Sequence, residues 1–161
     1  MVNASDAPWL VNDAFGAYTR LGETDERPFE QVGINIGVLQ PGQPACLYHG
    51  EANQEGFLVL SGEALLIVEG EEQPLKRWDY FHCPPWTEHV IVGAGDGPCV
   101  VLAVGAREGN GVVYPVSEVA AKHGASAEIE HRRGGDGPAG ESPYAPFPKD
   151  REAEFDPDWL P

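Results

Sequence analysis

Residues 33–105 form a succession of short apolar segments separated by turn residues, and this pattern constrains the fold more than any other feature of the chain. The breakers include QPGQP and GAGDG, and Ser61-Gly62 is typical of a tight hairpin turn. No segment has a 3.6-residue apolar period, which argues against alternating helices and strands. The pattern therefore predicts an all-β sandwich or barrel. The segments are GINIGVL (33–39), CLYHGE (46–51), EGFLVL (55–60), EALLIVE (63–69), DYFHC (79–83), EHVIV (88–92) and PCVVLAVG (98–105).

The length of 161 residues predicts one domain with a hydrophobic core of its own. We divide it into an N-terminal arm (1–32), a barrel core (33–105), and a C-terminal part (106–161) with a short helix and an extended tail rich in proline and glycine. Ser117 is the predicted N-cap of the helix, and Gly124 is its predicted end. Because the tail contains aromatic residues, we expect it to pack on the barrel or on a partner. These residues are Tyr144, Phe147, Phe155 and Trp159.

Several predicted strands are apolar on both faces, as in FLVL, ALLIV and VVLAV. An antiparallel sandwich open to water on its outer side should instead alternate apolar and polar residues. A second subunit is one way to cover the outer face, and two-fold dimers are the commonest oligomers. We therefore expect a homodimer.

The charge balance limits the classes of partner. The chain has 26 acidic and 10 basic residues, a formal net charge of −16, which repels phosphate backbones and anionic lipids. We therefore expect neither nucleic acid nor membrane as a partner. No signal peptide is recognisable, no segment approaches the roughly 20 apolar residues of a membrane span, and Cys46, Cys83 and Cys99 form no C-x-x-C pair. These features favour a cytoplasmic protein.

A candidate metal site is formed by His49, Glu51, Glu55 and His89. Side chains two apart in a strand point to the same face, so His49 and Glu51 are predicted to converge, and Glu55 has the same parity. His89 would arrive on another strand after the Pro84-Pro85 turn. A shell of imidazoles and carboxylates suits Mn, Fe, Ni or Zn, and the sequence does not choose among them.

These spacings resemble the two conserved motifs of the cupin family. In the first, G-x5-H-x-H-x(3,4)-E-x6-G, His49 takes the first histidine position, Glu51 replaces the second, and Glu55 and Gly62 follow at the expected intervals. The opening glycine, Gly42, is displaced by one residue. The second motif, G-x5-P-x-G-x2-H-x3-N, keeps its proline and histidine but has tryptophan at both glycines and glycine at the asparagine. It corresponds to Trp78, Pro84, Trp86, His89 and Gly93.

The resemblance covers residues 33–105 and is closest to the small single-domain bacterial cupins that have no assigned reaction. It implies a double-stranded β-helix, or jelly-roll, barrel with a metal held by His49, Glu51, Glu55 and His89. The glutamate in place of a histidine has two interpretations. Either Glu51 is a ligand, which makes the site harder and better suited to Mn or Fe, or the pocket is polar and free of metal.

Four further residues are candidates for the wall of a substrate pocket: Tyr48, Phe57, His82 and Trp86. His82 is an alternative ligand or proton carrier, and Trp86 would overhang the pocket mouth. Each has a structural alternative, namely a hydrogen-bonded barrel histidine for His82 and packing for the three aromatic residues.

The first functional hypothesis is a metal-dependent cupin that binds or transforms a small organic molecule, by dioxygenase- or isomerase-type chemistry. The second is a non-catalytic, metal-free module that binds or senses a small ligand. A third is a structural protein that joins another chain through its aromatic tail. The fold leaves all three open, and the residues identify no catalytic acid or base. Motifs of hydrolases, nucleotide-binding loops and dinucleotide-binding folds are missing from the sequence.

Overall fold

A computed structural model of the chain describes residues 1–24, 26–134 and 142–159. Two stretches of the predicted C-terminal tail, 135–141 and 160–161, lie outside the described residues. Within the described ranges the strands are β1 (Trp9–Asn12), β2 (Gly16–Arg20), β3 (Val32–Leu39), β4 (Gly50–Glu51), β5 (Glu55–Ser61), β6 (Glu63–Val68), β7 (Glu71–Lys76), β8 (Tyr80–Cys83), β9 (His89–Ala94), β10 (Cys99–Ala106), β11 (Val112–Tyr114), β12 (His131–Arg133) and β13 (Arg151–Ala153). The helix α1 spans Glu118–Ala121, and short 3-10 turns lie at Ala4–Asp6 and Pro157–Trp159.

The predicted all-β fold is confirmed. The largest sheet is antiparallel, with the order β13-β1-β2-β3-β10-β5-β8. A three-stranded sheet, β7-β6-β9, packs against it, and a small sheet, β12-β11-β4, lies at one end. Leu39, Val59, Leu66, Ile91 and Val101 are buried together in one cluster that joins the two larger sheets. Because side chains alternate along each strand, these residues mark the inner face of the barrel.

The turn at Ser61-Gly62 is not the hairpin that its residues predict. β5 pairs with β10 and β8, whereas β6 pairs with β7 and β9, so the chain passes from one sheet to the other at Gly62. Gly62 has a φ of 72°, and a Cβ atom at this position would collide with the carbonyl oxygen of Pro98. Glycine is therefore required at this corner.

The outer faces of the strands are covered by the chain itself. Trp9 is buried against Val38 of β3 and Val100 of β10, and Phe155 and Trp159 pack on the same cluster. This intramolecular cover accounts for the outer apolar residues that we attributed to a second subunit. A homodimer accordingly stays a prediction.

The helix α1 covers the outer face of the smaller sheet. Ala120 of α1 is fully buried against Ile67 of β6 and Val90 and Val92 of β9. The hydroxyl of Ser117 accepts a hydrogen bond from the amide of Ala120 at 3.2 Å, so Ser117 is the N-cap, as predicted. Ala120 is the one buried residue of α1, and its small side chain lets the helix lie close to the sheet.

The N-terminal arm contributes strands that the sequence pattern did not predict. β1 pairs with β2, and β2 continues the large sheet beyond β3. β13 from the C-terminal part then pairs with the far side of β1. The division into arm, core and tail stays a prediction. No helix in the part of the chain that the structure describes has the length and apolar character needed to cross a membrane.

Candidate metal and ligand site

The two candidate histidine ligands are placed side by side by the backbone. His49 and His89 form an isolated antiparallel bridge in which each amide donates to the carbonyl oxygen of the other, at 3.1 and 2.8 Å. Their imidazole ring centroids are 4.8 Å apart. Two residues 40 positions apart in sequence therefore present their rings together at one end of β9.

Glu55, the first residue of β5, places its carboxylate beside both rings. Its Oε2 atom lies 3.2 Å from Nε2 of His89 and 3.9 Å from Nε2 of His49. This oxygen is buried, and no described group donates a hydrogen bond to it in acceptable geometry. One ligand atom from each of the three residues lies within 4.8 Å of the other two. Three of the four predicted ligands are thus brought together.

The orientation of the imidazoles leaves Nε2 available as a ligand atom. Nδ1 of His49 lies 2.8 Å from the carbonyl oxygen of Leu47, and Nδ1 of His89 lies 3.0 Å from that of Thr87. A carbonyl oxygen can only accept, so each Nδ1 is the donor. Metal-binding histidines are commonly held in this way by a second hydrogen bond. Two imidazole nitrogens and a carboxylate therefore fit Mn, Fe, Ni or Zn.

Electrostatics couples the three groups. Burial lowers the pKa of His89, but hydrogen bonds to Cys83 and to the carboxylate of Glu55 have a larger, opposite effect and raise that pKa to about 10. The sulfur of Cys83 lies 3.2 Å from Nδ1 of His89. Burial and the charge of His89 lower the pKa of His49. A proton on His89 and a metal ion would occupy the same Nε2 position and would therefore compete.

Glu51, the fourth predicted ligand, is not part of this group of three. The reason is a change of pairing partner: His49 pairs with His89, whereas Glu51 pairs with Val112 of β11 in the small sheet. Burial and the nearby charge of Glu55 raise the pKa of the Glu51 carboxyl. Both effects disfavour the charged form of Glu51 relative to an exposed glutamate.

A cavity of about 810 Å³ adjoins the three residues and has His49, Glu55 and His89 in its wall. Its inner surface is mainly apolar and follows the inner face of the barrel. Phe57, one of the four predicted pocket residues, lines it, and its ring centroid is 5.2 Å from that of His89. The other apolar residues of this wall include Leu39, Ile91 and Val101.

The other three predicted pocket residues do not line this cavity. Tyr48 has the opposite parity to His49 and is buried in the cluster under α1, where its hydroxyl accepts a hydrogen bond from the amide of Gly70 at 3.1 Å. His82 is exposed, because it alternates with the inward-facing Phe81 on β8. Trp86 is 54% exposed. Strand parity and the path of the turn, which the motif spacing does not encode, thus direct these side chains away.

Both ends of the chain supply further parts of the cavity wall. Phe15 from the β1–β2 turn packs against Tyr144 and Phe147, with ring centroids 5.4 and 4.9 Å apart. Asn12 donates hydrogen bonds to the carbonyl oxygen of Pro148 at 2.9 Å and to Asp150 at 2.8 Å. The segment 142–150, which we call the C-terminal cover, is thereby held against the barrel. The aromatic residues of the tail were the signal for this contact, but nothing in the sequence placed it at the cavity.

Comparison with known protein families identifies the domain that carries the three candidate ligands. Residues 35–105 match the family model described as the cupin domain, and this range contains His49, Glu55 and His89. This part of the chain is a cupin domain, and solved cupin structures share its fold. The fold of this cupin is accordingly a jelly-roll barrel, as the motif resemblance implied. No curated protein matches its sequence.

Several solved structures resemble this cupin. A provisionally assigned sugar phosphate isomerase from Acidithiobacillus ferrooxidans is 26% identical with a TM-score of 0.54, and the alignment covers 62% of this cupin and 66% of that chain, just under two thirds of its length. A sugar phosphate isomerase of a cupin superfamily from Silicibacter pomeroyi is 21% identical with a TM-score of 0.60, covering 85% and 94% of the two chains. The polyketide cyclase RemF from Streptomyces resistomycificus is 16% identical with a TM-score of 0.57, covering 68% and 80%.

Proposed function

We propose that this cupin binds a divalent metal ion through His49, Glu55 and His89 and holds a small organic molecule in the adjoining cavity, which it binds or transforms. The observation that carries the proposal is the arrangement of donor atoms. Both Nδ1 atoms are held by backbone carbonyls, while both Nε2 atoms face a buried Glu55 oxygen to which no described group donates a hydrogen bond. A cation among these atoms would satisfy that oxygen.

A bound Mn, Fe, Ni or Zn ion supplies Lewis acidity or, in the case of iron, oxygen activation, so isomerase- and dioxygenase-type reactions are both compatible with this site. The chain's own residues position the ligand and exclude water. Phe57 forms an apolar wall beside His89, and Phe147 of the C-terminal cover contributes a further apolar surface to the cavity. Glu51 remains a candidate fourth ligand, because its carboxylate is close enough to Glu55 for their charges to interact.

The names of similar proteins support the proposal that the cavity binds a small organic molecule. Two of the solved structures above are described as sugar phosphate isomerases and one as a polyketide cyclase. These enzymes act on different classes of compound, so the shared barrel does not choose a reaction. The proposal for this chain therefore rests on the donor atoms and the cavity.

The test is the metal content of protein purified without an affinity tag and measured by elemental analysis. We expect near-stoichiometric metal in the wild type and loss of the metal in His49→Ala and His89→Ala. His82→Ala is the matched control, because it removes an exposed imidazole from the same barrel and should keep the metal. A wild type that is free of metal and also fails to take up Mn, Fe, Ni and Zn would overturn the proposal.

A second candidate function, a metal-free module that binds or senses a small ligand, is favoured by one specific contact. His89 and Glu55 lie 3.2 Å apart, and the raised pKa of His89 lets the pair form an ion pair that fills the site without a metal. Binding measurements on protein stripped with a chelator separate the two functions. Unchanged ligand affinity without turnover would favour the module.

Homodimer formation and a cytoplasmic location stay predictions. Sedimentation velocity at several protein concentrations measures the oligomeric state. A single species with the mass of one chain, 17.4 kDa, at all concentrations would contradict the dimer.

A further inference from the structure

The charged residues of the cavity differ from those of the whole chain. Among the described residues, the cavity wall contains three of the ten basic side chains of the protein, Arg20, Arg133 and Lys149. It contains only two of the 26 acidic ones, Glu55 and Asp150. A chain with a net charge of −16 thus concentrates positive charge around this cavity. Charges of one sign around a concave site attract ligands of the opposite sign.

Both acidic residues of the wall are already engaged. Glu55 faces the two histidines, and Asp150 accepts hydrogen bonds from Asn12 at 2.8 Å and from the hydroxyl of Tyr18 at 3.0 Å. In contrast, Arg133 of β12 and Lys149 of the C-terminal cover form no ion pair within residues 1–24, 26–134 and 142–159. Both side chains are exposed at the cavity rim, where they can reach an incoming ligand.

A buried acceptor lies between this rim and the barrel interior. Asn35 of β3 lines the cavity, and its Oδ1 atom is buried without a hydrogen-bond donor among the described residues. A buried acceptor of this kind costs free energy until a donor reaches it. A hydroxyl or amide N–H of a ligand would be such a donor. Apolar residues such as Phe57 and Val101 form the wall around it.

We propose that the ligand of this cavity is a small organic anion. Its carboxylate or phosphate binds Lys149 and Arg133 at the rim, its body packs on the apolar barrel wall, and a hydroxyl or amide of that body donates to Asn35. The assignment deepens the proposed function, because it rests on the cavity being the ligand site, but it does not depend on the metal. Lys149 is then a specificity-determining residue that lies outside the region matched by the cupin family model, residues 35–105.

The first measurement is thermal stabilisation by matched pairs of compounds, each an anion and a neutral compound that lacks its charged group. The carboxylate pairs are benzoate with benzamide and gluconate with gluconamide, and the phosphate pairs are phenyl phosphate with phenol and glucose 6-phosphate with glucose. We expect at least one anion to raise the melting temperature more than its neutral partner does. Comparison of the carboxylate and phosphate pairs shows which anionic group is used. A set in which no anion stabilises the protein more than its partner overturns the proposal.

The second measurement is the dissociation constant of the best anion for variants of the rim. We expect Lys149→Gln to weaken binding about fivefold, the upper value for one exposed charge pair, and the double variant with Arg133→Gln to weaken it about 25-fold if the two contacts are independent. Lys76→Gln is the matched control, because it removes an exposed lysine on β7 outside the cavity. Equal affinities for wild type and the double variant contradict the assignment.

Metal analysis of the same samples keeps the two proposals separate. The rim variants should retain as much metal as the wild type, because neither residue belongs to the group of His49, Glu55 and His89. A protein that binds anions through Lys149 but holds no metal refutes the metal site alone. A metal-loaded protein that binds neutral partners as tightly as anions refutes the anion assignment alone.

Discussion

Asn12 is the strongest polar link between the barrel and the C-terminal cover, so Asn12→Ala should release the cover. The side chain is 5% exposed and makes three hydrogen bonds: it donates to the carbonyl oxygen of Pro148 at 2.9 Å and to Asp150 at 2.8 Å, and it accepts from the amide of Ala14 at 2.9 Å. Two neutral bonds at about 1 kcal/mol each and one bond to a charged group at about 1.5–3 kcal/mol bring the total to roughly 3–5 kcal/mol. Water can replace part of this at the rim, so we expect a loss of about 2–4 kcal/mol.

Urea unfolding followed by tryptophan fluorescence measures this loss as a change in the free energy of unfolding. Limited proteolysis should then cut the variant within residues 142–150 faster than the wild type, because the cover opens locally before the barrel unfolds. Tyr18→Phe is the matched control: it removes one exposed hydrogen bond to Asp150, so it should cost less than about 1 kcal/mol. A loss below about 0.5 kcal/mol in Asn12→Ala, with unchanged proteolysis, would show that the aromatic contacts alone hold the cover.

Three further perturbations follow from single contacts. Arg107 donates two hydrogen bonds of 2.6 and 2.8 Å to Glu23 and lowers the pKa of that carboxyl, so the pair stabilises the fold above the ordinary glutamate pKa of about 4.3 and loses this effect as the pH falls through the folded-state pKa. As the pH is lowered from about 6 to 3, the urea midpoint of Glu23→Gln should therefore fall less steeply than that of the wild type, and parallel curves would contradict the pairing. Gly62→Ala should lower the free energy of unfolding by about 1–3 kcal/mol, because a side chain there has a positive φ and meets Pro98; a melting temperature equal to that of the wild type would argue against the corner. Burial raises the pKa of the Cys99 thiol to about 11, so this cysteine should react with a thiol reagent only after unfolding, and rapid labelling of the native protein would be inconsistent with its position.

The order of apolar segments and the motif spacing are sufficient to predict much of the site. Strand alternation depends only on local backbone geometry, so a period of two is enough to place His49 and Glu55 on an inward face. The Pro84-Pro85 turn and the following strand then bring His89 beside them. Ser117 was likewise recognisable as an N-cap, because capping depends on one side chain and the next three residues.

The tertiary structure alone decided which strands become neighbours. Glu51 has the right parity but pairs with β11, and Ser61-Gly62 has hairpin residues but turns between two sheets. Parity says which face of a strand a side chain occupies, whereas the partner of that strand depends on the packing of distant segments.

The cavity wall contains both kinds of residue: those that the strand pattern predicts and those that only the tertiary structure places there. Phe57 belongs to the pattern of residues 33–105, but Phe15, Phe147 and Lys149 come from the two ends of the chain and reach the cavity only because those ends fold back over the barrel. Their position is set by aromatic packing and by hydrogen bonds such as Asn12 to Pro148, which join residues 136 positions apart. Local sequence thus determined most strands of residues 33–105 and the inward donor atoms. Long-range packing determined what surrounds them, because contacts between distant segments leave no periodic trace in the sequence.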